Sequence, residues 1–507
     1  MHDTFSVTWR DTLVLFAVSM VASSAIGTHG LAYWDAGDYV RQAVRSQPSG
    51  LLLGRPLFLF VSRLVASVPL RAGWGAASIE PTLRWFWAAI SACAPPLLAS
   101  LVARLRFGRA AALAAGVALA IAPSFAHTAH QVLTDGPALA ISLAALVIGL
   151  PRSEEARASL PAYRAFLAGA VVAAAIATRE TSAVQLLALL AILSRKRWNV
   201  LAAIVACLSG VALVVVVAKR NETMLGWILA MARSSNKHPV TLRDFGLSAG
   251  WLLALGPVPV ILGVLELVSF ARRRWGTGGA RDTLSNPAFA GTRAVVVPSA
   301  VATVLLVLYP DGSFSPRYLL ATGPIAFFVL AAPRLSDLLS DARSSRKLTR
   351  LLVACALVAP LAVAPFTTRH AEAIAERAAA LPARLAQIPD GTLVVPGHTC
   401  AAVGAWLAVE DAAHAGHTGP GLPDERIELL CPGWSWPGEA RELELRLDRA
   451  RCRGRALAID LADEAWVGTR ELEAKEQVRG YARTHPGPTV AGFTMIPALA
   501  FDDPTCR

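Results

Sequence analysis

Apolar runs of about the length of a membrane span recur from residue 12 to residue 366, and lysine and arginine cluster in several of the stretches between them. A helix of about 20 mainly apolar residues crosses a bilayer, and only helices or closed barrels satisfy their own backbone there. Candidate runs lie at 12–28, 83–103, 110–126, 136–151, 164–178, 181–194, 198–218, 247–270, 293–309, 316–333 and 349–366. The chain therefore reads as an α-helical polytopic membrane protein with about 11 transmembrane helices. Its residues are 54% hydrophobic and 17% charged, against about 25% charged in an ordinary soluble domain. The net charge of +12 does not point to nucleic acid, because the basic residues fall in short clusters ("RLRFGR", "SRKRWN", "ARRRWG") and not in one patch. The first run is followed by "THGLAYWD", which lacks a small-residue cleavage site, so it is expected to be a retained span.

Residues 51–70, "LLLGRPLFLFVSRLVASVPL", decide the orientation. They are long enough to span but contain Arg55, Pro56 and a central Arg63. With this segment in the interface, loops 104–109, 152–164, 195–197, 272–293 and 334–350 share one side, and their Lys/Arg load assigns that side to the cytoplasm. Residues 56–70 are then expected as an amphipathic helix on the outer surface. The N terminus is expected inside a bacterial inner membrane and, after eleven spans, the C terminus outside. The cysteines point the same way. Cys93, Cys207 and Cys355 lie in apolar runs, while Cys400, Cys431, Cys452 and Cys506 lie in the polar tail, enough for two disulfides with three pairings open.

From residue 367 the rhythm changes. "GTLVVPG", "ALAIDL" and "TVAGFTMI" read as strands and "EAWVGTRELEAKEQVRGYARTHP" as a helix. Residues 1–366 are expected to form the transmembrane domain and 367–507 a small extracytoplasmic α/β domain. No P-loop, dinucleotide fingerprint or zinc-ligand spacing is present.

On this topology the outer face collects ionisable residues. In "LAYWDAGDYVRQA", a helix puts Asp35, Asp38, Tyr39 and Gln42 on one face and Ala36, Val40, Ala43 and Val44 on the other. The apolar face is expected on the membrane and the carboxylates in a cavity above it; a solvated acidic face is the plainer alternative. "HTAHQVLTD" is read as a loop in which His127 and His130 precede Asp135, a residue that either serves the next helix's N terminus or joins a site. "ATRET" places Arg179 and Glu180 in a tight turn, where ionisable groups line a pathway or pair with each other. In "SFSPRYLLATGP", Arg317 and Tyr318 open another span, with Arg317 reaching toward lipid phosphate or a bound headgroup, and Lys219 and Arg220 add charge. Guanidinium forks suit phosphate oxygens, and a nearby carboxylate accepts a hydroxyl proton, so an anionic lipid headgroup fits this set.

Five motifs in order, "YWDAGDY", "GRPLFLFVSRLV", "TDGPALAISLAALV", "ATRETSAVQLLALL" and "SPRYLLATGP", resemble the GT-C glycosyltransferases of the protein O-mannosyltransferase and aminoarabinose-transferase type over residues 1–335. The resemblance implies a GT-C-like fold and an enzyme, a hexosyl- or pentosyltransferase. It would move a sugar from a polyprenyl-phosphate donor, with inversion, to a hydroxyl of a protein, lipid or glycan acceptor, with the lipid bilayer and no nucleic acid as partners. In that family an Asp in the first outer loop acts on the acceptor. Asp35 matches it and Tyr39 the tyrosine four residues on, while Ala36 stands where the family has Glu, leaving the base open between Asp35 and Asp38. "GRP", with Arg55, replaces the family's frequent His-Pro-Pro. Tyr39, Arg55, His130 and Asp135 are expected to bind substrate together with Arg179, Glu180, Arg317 and Tyr318. The resemblance leaves room for a divalent ion, Mg²⁺ or Mn²⁺, between Asp35 and Asp135. The rival readings are a multispan lipid or solute transporter or flippase, and a catalytically inactive GT-C relative. Against transport, no repeat of the spans is visible and the charges gather at the outer face, not at the midplane.

Overall fold

A computed structural model of the chain describes residues 7–27, 34–45, 55–151, 160–194, 196–218, 255–275, 287–307, 316–340, 346–351, 368–397, 400–419, 426–431, 440–461 and 469–500, with isolated positions beside them. Lys219 and Arg220, most of the run at 349–366, and the side chains of Arg317 and Tyr318 lie outside the described residues.

Among those residues, three helices are long and apolar enough to cross a membrane: Trp9–Ile26, Ala76–Arg104 and Gly323–Ser340. A fourth follows if the bent pair Arg109–Ala120 and Pro123–Ala129 is one span. Six more helices contribute apolar stretches of 10–17 described residues. Eleven full-length spans are thus not established. The 15-residue helix Asp135–Gly149, at 1.5 Å per residue, is about 22 Å long against a hydrocarbon core of about 30 Å.

Two sequence expectations change here for local reasons. Pro123, with its fixed φ and missing N–H, starts a new helix bent 60° from the one before, so His127 is helical and only residues 130–134 remain as the turn. Residues 56–70 form two helices, Pro56–Ala66 and Val68–Arg71, because Pro69 cannot continue the first. The longer one buries Phe58, Leu59 and Ser62 and exposes Phe60 and Leu64, so its outward face is apolar as well.

The helical body packs on small residues. A Cβ at Gly169 would lie 2.3 Å from the Ala203 carbonyl oxygen, so helices Ala162–Thr178 and Arg197–Ala218 touch backbone to backbone. The outward side of the second helix leaves Leu208, Leu213 and Val216 exposed, an apolar surface suited to lipid.

The tail is a five-stranded sheet in the order β2-β1-β3-β5-β4, with β1 Leu393–Val395, β2 Glu428–Leu429, β3 Leu457–Ile459, β4 Thr489–Val490 and β5 Phe493–Ile496. β1 runs parallel to β2 and β3, while β5 is antiparallel to β3 and β4. Successive side chains point to opposite faces. Leu393, Val395, Leu457 and Ile459 therefore pack with helices Ala440–Cys452 and Thr469–Thr484 on one side. Val394, Ala458 and Phe493 pack with Thr368–Leu385 and Cys400–Ala415 on the other. "TVAGFTMI", expected as one strand, is a hairpin: Ala491 and Gly492 both adopt positive φ, +52° and +81°, as a two-residue turn of this kind requires. The disulfides pair Cys400 with Cys431 and Cys452 with Cys506.

The helix Trp34–Arg45 forms as expected, but its apolar face does not lie on lipid. Ala36, Val40, Ala43 and Val44 are buried among Phe58, Ile79, Leu83 and Trp87 on one side and Ala405, Ala408 and Ala412 of the tail on the other. The tail helix Cys400–Ala415 supplies a covering surface of small residues that no local pattern around residue 40 announces.

Candidate active site

Asp35 lies in the first turn of its helix, where a carboxylate complements the helix dipole. Arg55 directly precedes Pro56, the first residue of the next helix, and the guanidinium turns back toward Asp35. Arg55 Nη1 lies 3.8 Å from Asp35 Oδ2 and its Nε 3.5 Å from Glu180 Oε2. The same group sits 5.5 Å over the Tyr39 ring, an arrangement that favours a cation. Tyr39 in turn packs on Phe58 at 4.7 Å between ring centroids, and Phe58 stacks on Trp87 at 4.2 Å. A buried aromatic floor thus carries the arginine. Asp38 is buried one turn along, and Gln42 donates to it at 2.7 Å.

Arg179 has extended backbone, φ −157° and ψ 124°, between the helix Ala162–Thr178 and the 3₁₀ turn Glu180–Ala183. This break sends two adjacent charges in opposite directions. Arg179, 1% exposed, turns inward, 2.9 Å from Asp135 Oδ1 and 2.9 Å from Thr134 Oγ1. Glu180, 60% exposed, turns outward to Arg55. Arg179 and Glu180 therefore each take a partner from a distant stretch of the chain. Asp135 is the first residue of its helix, where a carboxylate complements the dipole, and it pairs with Arg179.

Two ion-paired groups result, Asp35–Arg55–Glu180 and Arg179–Asp135, and they adjoin at the neighbouring residues Arg179 and Glu180. The 3₁₀ turn Pro316–Ala321, which carries the backbone of Arg317 and Tyr318, packs against the helix Asp135–Gly149 and the Glu180–Ala183 turn, at the same end of the body. His130 packs against the edge of Trp85, 5.1 Å between rings, and against Gly27, at the end of the first helix. Asp35 and Asp135, expected to share a divalent ion, each face a guanidinium. Among the described residues no group of three or more His, Cys, Asp or Glu side chains is gathered to hold a metal. That donor set does not fit a resident cation.

Sequence reasoning missed Thr134 and Gly37. Thr134 precedes Asp135 in "LTDG", and a hydroxyl beside a buried aspartate was a usable signal. Gly37 had none, since its role depends on a tail helix far away in the chain: a Cβ there would lie 2.6 Å from the Ala401 backbone.

An oligosaccharyltransferase from Archaeoglobus fulgidus, crystallised in the apo form, aligns with this chain at a TM-score of 0.50 over 97% of this chain and 75% of that one, with 12% sequence identity. At that identity the likeness is one of fold, the GT-C fold. Residues 78–220 match the family model of dolichyl-phosphate-mannose-protein mannosyltransferases. The matched segment takes in His130, Asp135, Arg179 and Glu180 and leaves out Asp35 through Arg55. No curated protein matches the chain in sequence. The GT-C glycosyltransferase resemblance carried by the five motifs is thus met independently by a fold and by a family model.

Proposed function

We propose that the chain is a membrane glycosyltransferase that carries a hexosyl or pentosyl group, with inversion, from a polyprenyl phosphate to a hydroxyl of a protein, lipid or glycan on the outer side of the inner membrane. One observation carries the reading: ionisable residues from separate, otherwise apolar stretches pair with one another, Asp35 and Glu180 on Arg55 and Asp135 on Arg179, with the two groups adjoining at residues 179 and 180. Burying ions costs several kcal/mol each unless they are paired. Ionisable groups kept in such surroundings are as a rule functional.

In the proposed reaction the acceptor oxygen attacks the anomeric carbon while the bond from that carbon to the phosphate oxygen breaks. Asp35 takes the acceptor proton, a general-base contribution of about 10²- to 10⁴-fold. Asp38, held by Gln42, is the second candidate for that role. The phosphate leaves with the bonding electrons, and guanidinium groups stabilise that charge. Arg55 is the cation nearest Asp35 in the described cluster, Arg317 joins from the neighbouring turn, and Arg179 contributes from behind through its pair with Asp135. Tyr39 and Glu180 complete the walls around Arg55. The donor class is supported by the match to the dolichyl-phosphate-mannose-protein mannosyltransferase family. The sidedness is supported by the basic loops and by two disulfides in the tail.

A direct test incubates purified, reconstituted protein with undecaprenyl-phosphate-linked mannose, glucose, galactose and arabinose, together with a cell-envelope extract as the source of acceptor hydroxyls, and follows donor consumption by mass spectrometry. The reading expects one donor to be consumed well above the others. Protein that is folded and consumes none, yet moves lipid or solute across the vesicle wall, would establish the transport alternative instead.

A further inference from the structure

The helix that carries Asp35 and Asp38 is gripped along its length by the tail. At its start, Gly37, flanked by the two aspartates, leaves no room for even a methyl group against the Ala401 backbone. One turn on, a Cβ at Gly404 would meet Arg41 Cδ at 2.9 Å. At the far end Arg45 forms an ion pair with Asp411, and the Gly419 N–H donates to the Val44 carbonyl at 2.7 Å. Ala405, Ala408 and Ala412 fill the seam between these points. A 12-residue helix is marginal on its own, so its partners set where it sits.

The gripping helix is itself tied down at the contact point. Cys400, its first residue, is bonded to Cys431, two residues beyond β2, the edge strand that pairs with β1 at only two positions. The other disulfide, Cys452–Cys506, joins the end of a different helix to the C-terminal residues. Two bonds in one domain therefore stand in different relations to the site.

Resting on the glycosyltransferase reading, we propose that the tail domain positions the Asp35–Asp38 helix, and that the Cys400–Cys431 disulfide is the brace that holds this position. Gly37 and the cysteines touch no substrate; they are positioning residues. Thiol–disulfide exchange with an external disulfide oxidant, which takes up the two electrons and two protons of Cys400 and Cys431 and leaves as a dithiol, completes the site and makes sugar transfer by this protein dependent on an oxidising compartment.

The test uses the full-length protein in detergent or nanodiscs and two readouts, one of which needs no activity. Hydrogen–deuterium exchange of the peptide covering residues 34–45 is compared in wild type, C400S/C431S and C452S/C506S. The expected result is exchange about tenfold or more faster in the first double variant alone, with β1 and β3 still protected. Equal exchange in all three proteins overturns the proposal and leaves the glycosyltransferase reading untouched.

Where C400S/C431S loosens the whole tail, Gly37→Ala decides, because it keeps both disulfides and inserts one methyl group between the two backbones. With the donor found above, its kcat is expected to fall about 10²-fold at nearly unchanged donor KM, since misplacement by about 1 Å costs that much. Gly404→Ala, which meets the flexible Arg41 side chain and a terminal methyl of Leu429 but no backbone, stays within about threefold on the same scale. A Gly37→Ala protein with wild-type kcat, or one whose loss lies wholly in KM, refutes the positioning role.

Discussion

Both the helical body and the tail bury arginines beside aspartates, and the two regions do it differently. In the tail, Arg384 donates to Asp460 at 2.9 Å and to the Ala491 carbonyl at 2.7 Å, and lies 4.4 Å over the Phe493 ring. One cation is satisfied by one carboxylate, one carbonyl and one ring, all within the sheet and the helix that covers it. In the body, Arg55 and Arg179 face Asp35, Glu180 and Asp135, brought from distant stretches into apolar surroundings, and Glu180 stays open to solvent. The tail's arrangement is what folding a small domain calls for. The body's costs desolvation that no packing need explains, which is why the chemistry is placed there.

The comparison can be broken by mutation. The largest expected effect is on Arg179→Ala, which strands a buried Asp135 and should lower stability by about 3–5 kcal/mol in thermal or denaturant unfolding. Replacing both partners, Arg179→Met with Asp135→Leu, should recover most of that loss; a double variant as unstable as the single one would show that the pair itself is not the issue. Arg55→Ala should cost about 10²–10³ in kcat with little change in melting temperature, as befits a cation placed for the reaction. Arg384→Ala should do the reverse, destabilising the tail by about 1–3 kcal/mol while transfer persists at temperatures where the protein is folded. Activity lost in Arg384→Ala and kept in Arg55→Ala would invert the assignment of the two regions.

The smallest effect is spectroscopic. Burial, and then the hydrogen bond the phenol donates to Asp448, push Tyr481 up to about 12. Since the folded value lies above the unfolded one of about 10, this group's contribution to stability is complete below pH 10 and fades as pH rises through about 12. Ultraviolet titration should show one late-ionising phenol that moves to the ordinary range in Tyr481's unfolded state.

Much of this was legible in the chain, and the rest was not for identifiable reasons. The apolar runs, the helix at 34–45, the turn at 179–183 and strands β1 and β3 follow from periodicities spanning a few residues, so local sequence carries them. The break at Pro123 was also local and was underweighted. The hairpin at 489–496 hides because Ala491 takes a positive φ that alanine rarely adopts. The partner choices of Arg179 and Glu180 depend on a backbone break that points neighbours apart, and charge alone does not state it. The fate of the apolar face at Ala36 and Val40 depends on a helix that begins at Cys400, a contact no window of sequence contains.

The central claim is that the cluster around Asp35 transfers a sugar. The most direct measurement is kcat on the consumed polyprenyl-phosphate sugar for Asp35→Asn and Asp38→Asn beside wild type, with unfolding curves to show that each is folded. The account predicts a loss of about 10²- to 10⁴-fold for Asp35→Asn and a distinctly smaller one for Asp38→Asn. Full activity in a folded Asp35→Asn protein would contradict it.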